Sequence, residues 1–95
     1  MFIVLLKFAA NKADAPRHMD GHKAWLEQGF ADGVFLLSGS VQPKQGGAVL
    51  AANTTREELA HRIAADPFVA EDVVRAEIIE IDASRADDRL SFLIA

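Results

Sequence analysis

Cysteine is absent from the 95-residue sequence, which excludes disulfides, thiolate metal sites and a cysteine nucleophile. Basic clusters are absent too. Ten Lys and Arg against fourteen Asp and Glu give a net charge of −4, whereas a binder that tracks nucleic-acid phosphates normally presents a basic face. No apolar run is long: the one that starts at Phe2 is interrupted at Lys7, too short to span a bilayer. That run also lacks the basic flank and small-residue cleavage site of a signal peptide. The expectations are therefore a cytoplasmic location, with neither membrane nor nucleic acid as partner. Internal repeats and low-complexity segments are missing as well. What is present is ordinary globular composition, 51% hydrophobic and 25% charged. The length holds one domain, since domains run to about 100–200 residues. A core of this size is thin, so self-association would strengthen it.

Residues 2–9 read as a strand with apolar side chains on both faces, followed by a polar connection from Asn11 to Pro16. Met19, His22, Trp25, Leu26 and Phe30 then recur at helical spacing, with Gly21 and Gly29 as weak points and Gly33 as terminator. Residues 34–38 form a second strand, Gly39 to Gly47 a loop or wide hairpin, and residues 48–52 a third strand. Thr55-Arg-Glu-Glu58 matches a capping box, where hydroxyl and carboxylate satisfy backbone donors at a helix start. That helix is predicted to bury Leu59, Ile63, Ala60 and Ala64 and to stop at Asp66, because Pro67 follows. Residues 73–81 form the fourth strand, and a charged stretch from Asp82 to Arg89 leads to the apolar end Phe92-Leu93-Ile94.

The order β-α-β-β-α-β predicts an α+β fold of the ferredoxin-like kind, with a four-stranded antiparallel sheet. Two short helices cover one face of such a sheet. Strands with apolar residues on both faces, such as Phe2 and Ile3 or Ile78 and Ile79, would leave a second face beyond the few hundred Å² that a soluble monomer exposes. The pattern predicts a homodimer with two sheets face to face. The alternative is that the apolar terminus folds back over that face.

Right-handed crossovers put both helices on one side of the sheet. The start of the first helix, the end of the second and the end of the second strand then share one end of the domain. His22, Asp66 and Ser38 stand at these three places. A carboxylate beside an imidazole fixes its tautomer and orients the other ring nitrogen, which suits general acid–base work on an ionisable C–H or O–H. Ser38 and the Gly39 amide could hold a substrate oxygen. The plainer readings are that His22 is a packing residue on the apolar stripe and that Asp66 before Pro67 only ends a helix. His18 and His22 have a metal-clamping spacing, but no third ligand accompanies them, so no metal is expected. Trp25 reads as core and His61 as solvated. Gly46-Gly47 lacks the Gly-Lys-Ser/Thr ending of a phosphate loop and reads as turn chemistry.

An ordered set of segments carries a family resemblance. His22-Lys-Ala-Trp-Leu, Gly33-Val-Phe-Leu-Leu-Ser-Gly39, Pro43-Lys-Gln-Gly-Gly-Ala-Val-Leu, Asp66-Pro-Phe68 and Ala76-Glu-Ile-Ile-Glu80 together resemble the YciI-like (YCII-related) proteins. The resemblance spans residues 1–82 and leaves 83–95 as a C-terminal tail, read as interface-forming. It implies a dimeric α+β barrel and a site on the helix-1 histidine and the Asp-Pro-Phe aspartate, which are His22 and Asp66 here. The Ser-Gly after the second strand corresponds to Ser38 and Gly39. Two departures stand out. Ser40 replaces a common proline, and Lys44 stands where relatives often carry arginine, keeping the charge without the bidentate fork; Lys44 joins Ser38 and Gly39 as a candidate substrate-binding residue.

One reaction implied by the resemblance is cofactor-free removal of chloride from a chlorinated hydroxyhydroquinone. Muconolactone isomerases and small monooxygenases share the related barrel. The resulting expectation is a small cofactor-independent lyase or isomerase that uses a His22–Asp66 dyad on a small polar, aromatic or enolisable compound. Two alternatives stand beside it: a non-catalytic small-molecule-binding or accessory domain using the same cleft, and a dyad that only braces the helices.

Overall fold

The computed structural model describes residues 1–94. Strand β1 (Phe2–Phe8) leads through a 3-10 turn (Lys12–Asp14) into helix α1 (Ala15–Ala31). Strands β2 (Phe35–Val41) and β3 (Gly46–Ala51) form a hairpin, followed by helix α2 (Arg56–Ala64), a one-turn helix α3 (Pro67–Ala70) and strand β4 (Val74–Glu80). A 3-10 segment (Asp88–Leu93) ends the described chain. The four strands form one sheet in the order β2-β3-β1-β4, every neighbouring pair antiparallel. This is the ferredoxin-like α+β arrangement that the sequence predicts.

Alternation along β1 sets the core. Phe2, Val4 and Leu6 are buried under the helices, and across the ladder they meet Ala51, Val49 and Gly47 of β3. Leu59 and Ile63 of α2, Phe68 of α3 and Phe35 of β2 close the same cluster. Trp25 belongs to it as expected: its ring meets Phe35 edge-on, and its indole N–H donates to the Arg62 carbonyl at 2.9 Å. His61 is exposed, also as expected.

Several boundaries differ from the expectation for identifiable reasons. Helix α1 begins at Ala15, four residues before Met19, because Pro16 fits the first turn, where its missing N–H costs nothing. Gly29 is less a weak point than a clearance: a Cβ there would stand 2.1 Å from the Phe35 ring. Phe30, placed on the apolar stripe, is 42% exposed and forms a T-shaped pair with Phe35. Helix α2 buries only Leu59 and Ile63; Ala60 and Ala64 face solvent. Of the two readings of Gly39–Gly47, loop or wide hairpin, the structure has the hairpin: β2 runs on to Val41 and β3 starts at Gly46.

Among the described residues no α-helix packs on the other face of the sheet. Register places Leu37, Leu50, Ile3 and Ile79 in one row across all four strands, with Leu5 beside them. Leu37 is 54% exposed. The C-terminal 3-10 segment forms no extended packing with any strand or helix, and its Leu90 and Phe92 are exposed. The fold-back alternative is therefore not what the described residues show.

Candidate active site

A bulge in β2 creates the floor of the site. Phe35 pairs with Ala51 and Leu37 with Leu50, so one extra residue lies between them. That residue switches the side-chain parity of the strand. Without it Ser38 would point to the open face; with it Ser38 and Ser40 share the helix-facing side with their partners Val49 and Gly47. The helix-facing side thus changes from large side chains to Ser38, Ser40 and Gly47, and room is left beneath the first turns of α1. The result is a cavity of about 380 Å³, at the small end of the roughly 300–1,000 Å³ that small-molecule sites occupy.

Helix α1 roofs this cavity with Ala15, Met19, His22, Lys23 and Leu26, a stripe one helical face wide. Phe68 and Val74 close its inner wall. Most of the lining is apolar, and the polar side chains on it are His22, Lys23, Ser38 and Ser40.

His22 is held on three sides. Its Nδ1 lies 2.8 Å from Asp66 Oδ1. The Phe68 ring stacks on the imidazole at 4.0 Å with planes 3° apart, and Trp25 lies 5.7 Å away at 26°. Asp66 is an acceptor, so Nδ1 carries the proton and donates. Nε2 is left without a partner among the described residues, on a ring that lines the cavity. The His22 side chain is 14% exposed and Asp66 is fully buried.

The position of Asp66 follows from Asp-Pro-Phe. The residue before a proline is driven out of the helical region, and Asp66 is extended (φ −64°, ψ 123°). Pro67 opens α3, and the Phe68 N–H, which a first turn leaves unpaired, donates to Asp66 Oδ1 at 3.0 Å. Asp66 was expected to close α2. It instead caps α3, a helix the sequence reading did not separate from the turn. Gly21 lies against Pro67 and lets α1 come close to α3. Oδ2 of Asp66 is buried without a hydrogen-bond partner.

The structure thus joins His22 directly to Asp66 and brings Ser38 and Gly39 to the same cavity. Lys44 is not brought in: it lies in the left-handed region (φ 50°) of the β2–β3 connection, outside the lining. Lys23 and Ser40 were missed as lining residues. Lys23 continues the Ala15–Met19 row by four residues, a signal hidden by its charge. Ser40 was noted only as a departure, since the bulge that turns it inward has no sequence mark. Among the described residues no group of three His, Asp or Glu side chains could hold a metal ion, and no helix is long and apolar enough to cross a membrane.

A family model described as YCII-related domain matches residues 1–82. No functionally curated protein matches the chain. Among solved structures, a 5-chloro-2-hydroxyhydroquinone dehydrochlorinase from Burkholderia phenoliruptrix, in complex with 2,5-dihydroxybenzoquinone, superposes with a TM-score of 0.68. The alignment covers 85% of this chain and 93% of that one at 13% identity, a likeness of fold.

Proposed function

The chain belongs to the YCII-related domain family, and on that premise we propose that it is a small cofactor-independent enzyme of lyase or isomerase type. One observation carries the reading: a buried carboxylate occupies Nδ1 of His22 and leaves Nε2 as the free acid–base atom on the wall of the cavity. In this reading Nε2 removes a proton from a C–H or O–H of a small polar, aromatic or enolisable compound. Asp66 and the face of Phe68 then stand beside the imidazolium. Ser38 and the Gly39 backbone hold an oxygen of the substrate, and His22 returns the proton to the product or leaving group. The similarity in fold to a dehydrochlorinase supports chemistry of this kind.

The row Leu37–Leu50–Ile3–Ile79 supports a homodimer packed through the open sheet face. A second reading has its own support. Besides the Lys23 ammonium the described cavity wall offers one acid–base group, His22, since Asp66 is fully buried and outside the lining, and so sparse a set suits a non-catalytic binding domain as well.

The test is His22→Asn, whose amide keeps a donor toward Asp66 and deletes Nε2. Chloride release from 5-chloro-2-hydroxyhydroquinone and deuterium exchange into a panel of hydroquinones and enol lactones are followed in D₂O. Turnover in wild type that falls at least roughly a hundredfold in the variant is expected. Turnover retained in the variant would remove His22 from the mechanism. Saturable binding without turnover or exchange would establish the binding domain.

A further inference from the structure

We infer that the cavity takes an anion, a carboxylate or phenolate on a small ring, and that Lys23 sets this preference. The inference rests on the cavity being the ligand site. Among the described residues Lys23 is the one Lys or Arg on the lining, and the lining holds no Asp or Glu. Asp20 and Glu27 stand three and four residues from Lys23 on α1, at pairing distance on a helix. Among the described residues neither pairs with it, and no ion pair or hydrogen bond engages its ammonium. A free ammonium at the rim of an apolar cavity is attracted to an incoming anion more strongly than in bulk water.

The floor opposite completes the arrangement. Ser38 and Ser40 project to the same side of β2, and neither hydroxyl has a hydrogen-bond partner among the described residues. Two hydroxyl donors and an ammonium can share the oxygens of one carboxylate or phenolate. The apolar remainder, with Met19, Leu26 and Phe68, takes the ring. His22 lines the same cavity as both ends. Lys44, in the hairpin turn, is not among the lining residues. Lys23 is therefore a specificity-determining residue beside the proposed base, distinct from it in task.

The test uses benzoate and benzyl alcohol as matched probes in ¹H–¹⁵N NMR titrations of wild type, Lys23→Met and Lys23→Arg. Lys23 is exposed, so both variants are expected to keep the wild-type spectrum outside the cavity. Benzoate is expected to shift the amides of Ser38, Gly39 and Val49 and to bind more tightly than the alcohol. Lys23→Met is expected to weaken benzoate roughly ten- to hundredfold, leave the alcohol unchanged, and be largely rescued by Lys23→Arg. Equal binding of the two probes, or a benzoate preference that survives Lys23→Met, overturns the role of Lys23 and leaves the cavity standing as a site. Cavity amides that respond to neither probe overturn the cavity as ligand site as well.

Discussion

Replacing Asp66 by alanine should destabilise this protein more than any other single polar substitution in it. Oδ1 of Asp66 accepts two hydrogen bonds, from His22 Nδ1 at 2.8 Å and from the Phe68 N–H at 3.0 Å. Loss of a helix N-cap to alanine costs about 0.5–2 kcal/mol, and a hydrogen bond to a charged group contributes about 1.5–3 kcal/mol. Both donors are at least partly buried, so water replaces the lost acceptor poorly. The expected loss is about 3 kcal/mol, or roughly 12–24 °C in Tm for a domain of this size. Asp66→Asn behaves differently. An asparagine oxygen accepts the same two bonds, and Oδ2, where the amide would sit, already lacks a partner, so the loss should stay within about 1 kcal/mol. Urea unfolding at fixed protomer concentration measures both, the concentration mattering because an oligomer links stability to mass action. An Asp66→Ala variant within about 0.5 kcal/mol of wild type, the ordinary scatter of surface substitutions, would refute the account. So would an asparagine variant as unstable as the alanine one, since the negative charge rather than the shared acceptor would then hold the site together.

Two further outcomes follow from packing. Gly29→Ala gains about 1 kcal/mol in helix propensity, but its Cβ would stand 2.1 Å from the buried Phe35 ring; the expected net loss is about 1–3 kcal/mol by urea unfolding, and a more stable variant would contradict the close approach of α1 to β2. Leu50→Lys places a charge in the middle of the open-face apolar row, so light scattering should find a dimeric wild type and a monomeric variant. A monomeric wild type would remove the face-to-face assembly.

Period and punctuation made the fold readable. Strands with apolar residues at successive positions, the helix cap at Thr55 whose hydroxyl accepts from the Glu58 N–H, and Gly33 at φ 73° after α1 are local features, and local features survive in a linear sequence. His22 and Asp66 were also readable as a pair, because crossover handedness alone brings their ends of the chain together. What stayed hidden depends on comparing two strands. The bulge beside Leu36 exists only relative to β3, and it decides that Ser38 and Ser40 face α1. Residues 39–47 read as a loop or wide hairpin because their Gly, Ser and Pro content signals a turn. In the sheet, Gly39, Ser40, Gly46 and Gly47 are small residues on the cavity lining and leave it open. Lys23 is hard to read for a related reason: a charge on an otherwise apolar stripe looks like its edge, whereas here the stripe borders a cavity rather than a core.

Asp-Pro-Phe couples the site to the core so tightly that stability alone cannot separate catalysis from bracing. Asp66 caps α3 and orients His22, while Phe68 lies in the hydrophobic cluster and stacks on the same imidazole. A change to either residue disturbs packing and site together, and a loss of activity would then carry no information about mechanism. Nε2 of His22 differs from the other polar atoms of the pair: it belongs to a ring that lines the cavity, has no partner in the described fold, and is not used in the contact with Asp66. Asparagine at position 22 can keep the Nδ1-type contact and delete Nε2, whereas glutamine places its amide near the Nε2 position and abandons Asp66. If the pair only braces α1 against α3, the glutamine variant loses stability and the asparagine variant keeps both fold and any activity. If Nε2 does the chemistry, the asparagine variant stays folded and is inactive, an outcome that bracing cannot produce.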